Sequence, residues 1–244
     1  MSNPAQRPAP GTPLLALLTH ASTEVVLGSL SFLVSLAFAM AVSATGLLSS
    51  APLLLSPLML AVTGLCYLAI ERVLSGAQEL PVNKAVAVPA SLARCGLIAL
   101  GASVLALVGA TGLTWLQTEV IGLEPTEQDS ILSIVEGGDR AQLIMLGISA
   151  VILAPLTEEL LFRYMFFRRL LHSSGALLAF GLSALAFALF HFNPSGVVIY
   201  VWLGCVFASA YLLSGRLWVA MLTHGAYNAT AFVQLVMELS PDSM

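Results

Sequence analysis

Charged residues are scarce in this sequence: only 9% of its 244 residues are Asp, Glu, Lys or Arg, whereas 58% are hydrophobic. Soluble domains carry about 25% charged residues, so the composition excludes an ordinary soluble domain as well as a disordered chain. Basic residues are not in excess either, because 9 Lys and Arg stand against 13 Asp and Glu. Without a basic surface to neutralise phosphates, we expect no binding of nucleic acid. A polytopic membrane protein remains.

Cysteine is rare, and its spacing is not that of a disulfide, redox or metal motif. Cys66, Cys95 and Cys205 are scattered in or beside apolar runs, no CxxC pair occurs, and an odd number gives no disulfide framework. The zinc-binding pattern HExxH is absent as well. We interpret the three cysteines as small apolar core residues.

Long apolar runs are what the sequence has instead. Seven runs of about 17–24 residues each match the length that crosses ~30 Å of hydrocarbon at 1.5 Å per residue. They are Val25–Leu48, Pro52–Ile70, Cys95–Leu116, Gln142–Phe162, Ala176–Phe192, Val197–Leu213 and Leu217–Met237. Because backbone groups in lipid must be bonded internally, these runs are predicted to be helices. The predicted fold is all-α, a polytopic membrane helix bundle of about seven transmembrane helices.

The basic residues predict the orientation of this bundle. If the N-terminus is cytoplasmic and the chain crosses at every run, all but one of the basic residues considered lie on the cytoplasmic side, as the positive-inside rule requires. These are Arg7, Arg72, Lys84, Arg94, Arg168, Arg169 and Arg216, and Arg140 is the exception. We therefore expect a multi-pass protein of a prokaryotic plasma membrane with the N-terminus inside and the C-terminus outside.

The order of runs and polar segments predicts four parts of the chain. These are a flexible tail with an interfacial turn at Leu14–Leu18 (1–24), three transmembrane helices (25–116), an acidic outer loop with a short helix at Ser130–Val135 (117–141), and a four-helix core (142–237). The tail is rich in proline and has no core-forming pattern.

Three charged residues lie inside or at the edge of the fourth apolar run, where a charge is costly. Glu159 and Arg163 are spaced i,i+4 with the acid first, the favoured order for an ion pair. Glu158 is rotated by about 100° from Glu159 and faces elsewhere, which suits a general base. The structural alternative is that all three satisfy one another or a neighbouring helix.

Two further helices each contribute polar groups at helical spacing. Phe187 and His191 are i,i+4, so the ring is expected to pack beside the imidazole, and His224 and Asn228 share one face of the last run. Two histidines, a carboxylate and an amide can together activate a water and stabilise an oxyanion. The alternatives are an interfacial histidine at His191 and an interhelical hydrogen-bond pair at His224 and Asn228.

The three segments Glu158-Glu159-Leu-Leu-Phe-Arg163, Phe187-Ala-Leu-Phe-His191 and His224-Gly-Ala-Tyr-Asn228 match the EExxxR, FxxxH and HxxxN/D motifs in order and spacing. The sequence thereby resembles the CPBP family of CAAX proteases and bacteriocin-processing enzymes, also called ABI proteins. The resemblance covers about residues 143–236 and includes a proline shortly before the Glu pair, Pro155. One departure is Tyr164, where the family usually has glycine.

The resemblance implies an intramembrane endopeptidase that acts on a membrane-associated peptide or a lipidated, CAAX-like C-terminus. It implies that Glu158 and His191 activate a water, that His224 and Asn228 stabilise the oxyanion, and that Glu159 and Arg163 hold the site together. We prefer this arrangement, in which the water is activated without a metal ion. In the alternative, Glu158, His191 and His224 would bind zinc with water as the fourth ligand.

Straight helices leave Glu158 and His191 about 20 Å apart in membrane depth. The two side chains meet if the fourth helix continues through Arg168 towards Leu171, or if the fifth is tilted or short.

Two other functions stay open from the sequence. One is a transporter that uses the buried carboxylates, although no internal repeat supports it. The other is a non-catalytic bacteriocin-immunity or scaffold protein, a role that the family resemblance also includes.

Overall fold

The computed structural model describes residues 12–46, 52–75, 86–126, 129–137 and 139–239, and these form helices and no strand. In chain order the helices are α1 (Leu14–Ala44), α2 (Leu55–Ser75), α3 (Leu92–Ile121), α4 (Asp129–Gly137), α5 (Arg140–Ser173), α6 (Ala176–Phe190), α7 (Val197–Ser214) and α8 (Leu217–Leu239). The predicted tail up to residue 11, with Arg7, and the predicted cytoplasmic Lys84 lie outside the described residues.

Apolar length and composition make this a helical membrane bundle, as predicted. Among the described residues, four helical segments are long and apolar enough to cross a membrane: Leu14–Ala44, Leu92–Ile121, Arg140–Ser173 and Pro194–Ser214. Two shorter apolar helices, Leu55–Ile70 and Ala176–Phe190, accompany them. The predicted all-α membrane fold is confirmed, and seven is an approximate number of membrane helices.

Several helix bounds differ from the apolar runs. Helix α1 begins at Leu14, so the residues expected to form an interfacial turn are the first part of the helix. Helix α5 continues past Phe162 to Ser173, so the extension through Arg168 towards Leu171 is present. The short helix expected in the acidic segment is present as Asp129–Gly137.

Helix α5 is not a regular α-helix throughout. Two stretches of wider π-helix, Ser149–Leu153 and Leu160–Phe167, flank a short α-helical stretch, Ala154–Glu159. Pro155 lies in that stretch, and proline removes one backbone donor from the helix ladder. The motif carboxylates therefore follow a local irregularity of the helix, a feature that often accompanies functional sites.

The chain divides into two compact units, and the first consists of Met1–Val88 and Thr157–Ser183. In it α1 packs along α2, and both contact the C-terminal part of α5. The Ser35 and Thr63 hydroxyls share a buried hydrogen bond of 2.6 Å between α1 and α2. On α5, Phe167 packs edge-on against Phe180 with ring centroids 5.0 Å apart.

A buried polar cluster joins three helices of this first unit. The Tyr67 hydroxyl on α2 donates a hydrogen bond to the Glu24 carboxylate on α1. Arg169 on α5 places Nη1 3.4 Å from the same carboxylate, and its guanidinium lies 4.9 Å from the centre of the Tyr67 ring. The Arg169 side chain is only 2% exposed, so its charge is held by these neighbours rather than by water.

The second unit consists of Pro89–Leu156 and Ala184–Met244. Its helix α3 packs against α7 and α8, and α8 also packs against the π-helical turn Ser149–Leu153. Close approach depends on small residues: a Cβ added at Gly204 on α7 would lie 2.9 Å from the Ala184 Cα. These helices position the two histidines described next.

Candidate active site

The motif carboxylates of α5 have different surroundings, as their spacing predicts. Arg163 Nε lies 3.2 Å from Glu159 Oε2, and both side chains are fully buried, so the predicted i,i+4 ion pair is confirmed. Glu158 is only half-buried. The neighbouring glutamates thus face in different directions, and the buried cation is beside Glu159.

The residue that departs from the family pattern has a partner of its own. The Arg168 guanidinium lies 4.4 Å from the centre of the Tyr164 ring, within the range of a cation–π contact. Arg168 is buried. Tyr164 therefore helps to accommodate a second buried cation on α5, one turn after the motif arginine.

His191 follows the last residue of α6 and is held by two neighbours. Its Nδ1 lies 2.8 Å from the Phe187 carbonyl oxygen, and the Phe187 ring packs beside the imidazole at 4.7 Å between centroids, as predicted. A carbonyl can only accept, so Nδ1 carries a proton, and in the neutral ring Nε2 carries the lone pair. Tyr200 on α7 stacks on the imidazole with centroids 4.0 Å apart. The histidine is oriented as a base or ligand through Nε2.

His224 lies on α8 among aromatic rings and is only 3% exposed. Phe207 stacks on the imidazole with centroids 4.4 Å apart, and Phe187 meets it edge-on at 5.7 Å. Because Phe187 contacts His191 as well, one ring contacts both motif histidines. The second unit therefore brings His191 and His224 together around Phe187.

Asn228 lies one helical turn after His224 and contacts helix α5. Its Nδ2 donates a hydrogen bond of 2.8 Å to the Ala150 carbonyl oxygen. The interhelical hydrogen bond that the sequence left open as an alternative is thus present for Asn228, with α5 as its partner. The second N–H of the amide is not needed for this bond.

The turn after His191 is held by residues that sequence reasoning missed. Phe192 has a positive φ of 49°, which is uncommon for a bulky residue and marks a constrained turn. Asn193 Nδ2 donates to the Thr126 carbonyl at 2.8 Å, and Gln117 Nε2 donates to the Ser195 carbonyl at 2.9 Å. Gln117 and Thr126, both within the predicted acidic outer loop (117–141), therefore hold the turn that follows His191.

Tyr200 and Phe207, which stack on the two histidines, were also missed. The sequence shows them as aromatic residues in an apolar run, which predicts packing in the core. It does not predict contact with a particular histidine. Gly196 allows the approach of Tyr200, because a Cβ there would lie 2.7 Å from its ring.

The predicted site draws on both units. Glu158, Glu159 and Arg163 belong to the first unit, whereas Phe187, His191, His224 and Asn228 belong to the second. That Glu158 meets the histidines stays a prediction. Within either unit, the described residues contain no group of three His, Cys, Asp or Glu side chains suited to a metal ion. The zinc alternative also requires Glu158 beside the two histidines, and it stays a prediction too.

Comparison with known proteins agrees with the motifs. A family model described as "Type II CAAX prenyl endopeptidase Rce1-like" matches residues 140–230, which include all seven motif side chains. A Bacillus subtilis protein named "Putative membrane peptidase YdiL" is 28% identical over 121 residues, which cover 50% of this chain and 46% of that protein. The chain thus aligns with about half the length of this relative. No solved structure matches the chain significantly.

The family model confirms the resemblance to CAAX-type endopeptidases over residues 140–230. The apolar helices make the chain an integral membrane protein. Catalytic residues, substrate and any metal belong to the proposal that follows.

Proposed function

We propose that this protein is an intramembrane endopeptidase that hydrolyses a peptide bond in a membrane-associated peptide or a lipidated, CAAX-like C-terminus. The observation that carries the proposal is the family match over residues 140–230, because it includes the carboxylate, both histidines and the amide in the expected order. The tautomer of His191 supports it, since its Nε2 lone pair can accept a proton.

In the proposed reaction, Glu158 and His191 hold a water and remove its proton as its oxygen attacks the carbonyl carbon of the scissile bond. His224 and the second N–H of Asn228 donate hydrogen bonds to the tetrahedral oxyanion. Collapse of the intermediate breaks the C–N bond, and the proton taken from water passes to the leaving amine. Glu159 and Arg163 form a buried ion pair on α5 that supports the site.

The aromatic residues around the histidines fit this chemistry. Phe207 and Phe187 surround the His224 ring and fix its direction, and Tyr200 does the same for His191. A fixed donor costs no reorganisation when charge develops on the substrate. In the zinc alternative, Glu158, His191 and His224 would hold the ion, which would polarise the bound water.

The test is cleavage of membrane-anchored peptides by the purified chain in detergent or lipid nanodiscs. Glu158→Gln and His191→Ala are each expected to reduce kcat at least a hundredfold, because each removes a proton-transfer group. Matched controls are Glu119→Gln and His20→Ala, two exposed groups that are expected to leave the rate unchanged.

Cleavage by a folded Glu158→Gln, His191→Ala double variant would contradict the proposal. Protection against a bacteriocin retained by Glu158→Gln would favour the immunity role, and ion-coupled uptake lost without any peptidase activity would favour a transporter. Activity abolished by a chelator and restored by zinc would replace the metal-free mechanism with the zinc alternative.

A further inference from the structure

Asn228 contacts α5 where proline removes a backbone donor. In the π-helical turn Ser149–Leu153, the Ala154 N–H bonds to the Ser149 carbonyl, an i→i−5 step. The next donor in that register would come from residue 155 and would bond to Ala150. Residue 155 is proline and has no N–H. Asn228 Nδ2 donates to the Ala150 carbonyl instead, at 2.8 Å.

The backbone of α8 lies directly against the same turn. A Cβ added at Gly225 would lie 2.9 Å from the Val151 carbonyl oxygen and 4.0 Å from Pro155 Cγ. Gly225 and Asn228 are i,i+3 and lie on one face of α8. A larger residue at 225 would push α8 away, so glycine allows the short amide of Asn228 to reach α5.

The π-helical turn determines the direction of the residues that follow it on α5. Each residue of a helix adds about 100° of rotation and 1.5 Å of rise, and a π turn contains one residue more than an α turn. Conversion of Ser149–Leu153 to regular α-helix would therefore rotate Glu158 by about a full residue step around the α5 axis. Glu158 lies only three residues after Pro155.

We propose that Asn228 is a positioning residue for Glu158: its amide replaces the donor that Pro155 lacks and thereby maintains the π-helical turn that sets the rotation of Glu158. This inference rests on the proposed function and adds a second task to Asn228, since one N–H bonds Ala150 while the other remains for the oxyanion.

A double-mutant cycle over Pro155→Ala and Asn228→Ala tests the proposal in the full chain, with melting temperature and initial cleavage rate as the two measurements. In the wild-type background, Asn228→Ala is expected to lower Tm by several degrees and the rate at least tenfold. In the Pro155→Ala background, the new N–H at residue 155 is expected to bond the Ala150 carbonyl. The Tm loss caused by Asn228→Ala should therefore be half as large or less, and the accompanying rate loss should be at least three times smaller. Gln234→Ala, an exposed amide on the same helix, is the control and should change neither.

Equal Tm losses in the two backgrounds would overturn the hydrogen-bond replacement. Coupling in Tm with strictly additive rate losses would overturn the positioning role and leave Asn228 as an oxyanion donor that also joins two helices. If Pro155→Ala alone abolishes cleavage while Tm is retained, a backbone N–H at residue 155 does not do what the Asn228 amide does, which would contradict the proposal. Coupling in Tm in a chain whose wild type cleaves no membrane peptide would contradict the proposed function, whereas the bond to Ala150 would stand.

Discussion

At the scale of single residues, helical spacing gives the two adjacent glutamates different surroundings. Glu159 is fully buried with Arg163, whereas Glu158 is half-buried. Both halves of the ion pair lie on one helix, so the sequence alone could predict it. Its burial required the surrounding helices, because a short spacing does not reveal how much water reaches a side chain.

Removal of one member of this pair should destabilise the fold strongly. Arg163→Met leaves the Glu159 carboxylate buried without its cation, and we expect a loss of about 3–5 kcal/mol in the free energy of unfolding. Thermal and denaturant unfolding in detergent measures it. The double variant Glu159→Gln, Arg163→Met is the matched comparison and should regain a large part of that loss. A single variant as stable as the wild type would contradict a structural role of the pair.

At the scale of helices, α5 is the element that the apolar pattern described least well. Its run ends at Phe162 by composition, yet the helix continues to Ser173 through Arg163, Arg168 and Arg169. All three arginines are buried, and each has a partner that stabilises its charge. Arg163 is paired with Glu159, Arg168 lies over the Tyr164 ring, and Arg169 is paired with Glu24. Hydropathy alone cannot predict such an extension, because it does not reveal the partners of buried arginines. Arg169 is paired with Glu24 on another helix, and Arg168 contacts Tyr164, the residue that departs from the motif.

The cluster of Glu24, Tyr67 and Arg169 gives the first two helices a definite structural task, since it ties α1 and α2 to the motif helix α5. Tyr67→Phe removes a hydrogen bond to a charged group, and we expect a loss of about 1.5–3 kcal/mol in unfolding free energy. Chemical denaturation of the purified chain measures this loss. Tyr164→Phe keeps the ring beside Arg168 and should change stability by less than about 0.5 kcal/mol. Equal effects of the two substitutions would show that the cluster contributes no specific stability.

At the scale of the whole molecule, orientation in the membrane stays a prediction of the positive-inside rule. Single cysteines placed in a chain without native cysteines report it through labelling by a membrane-impermeant reagent in intact cells. Glu119→Cys, on the outer side, is expected to be labelled, whereas Arg94→Cys and Arg216→Cys should be labelled only after permeabilisation. Labelling of the two arginine sites in intact cells would reverse the predicted topology. Loss of a basic residue itself weakens the bias, so Ser91→Cys serves as a charge-neutral control beside Arg94.

The sequence by itself determined that the chain is a helical membrane protein, since apolar length and scarce charge leave few other folds. It also predicted the contacts that lie one helical turn apart, namely Glu159 with Arg163 and Phe187 with His191. Only the tertiary structure decided which rings hold the histidines, because Phe207 and Tyr200 reach them from another helix. The same holds for Asn228: its bond to Ala150 joins residues far apart in the chain, at a carbonyl whose helical donor is missing because residue 155 is proline.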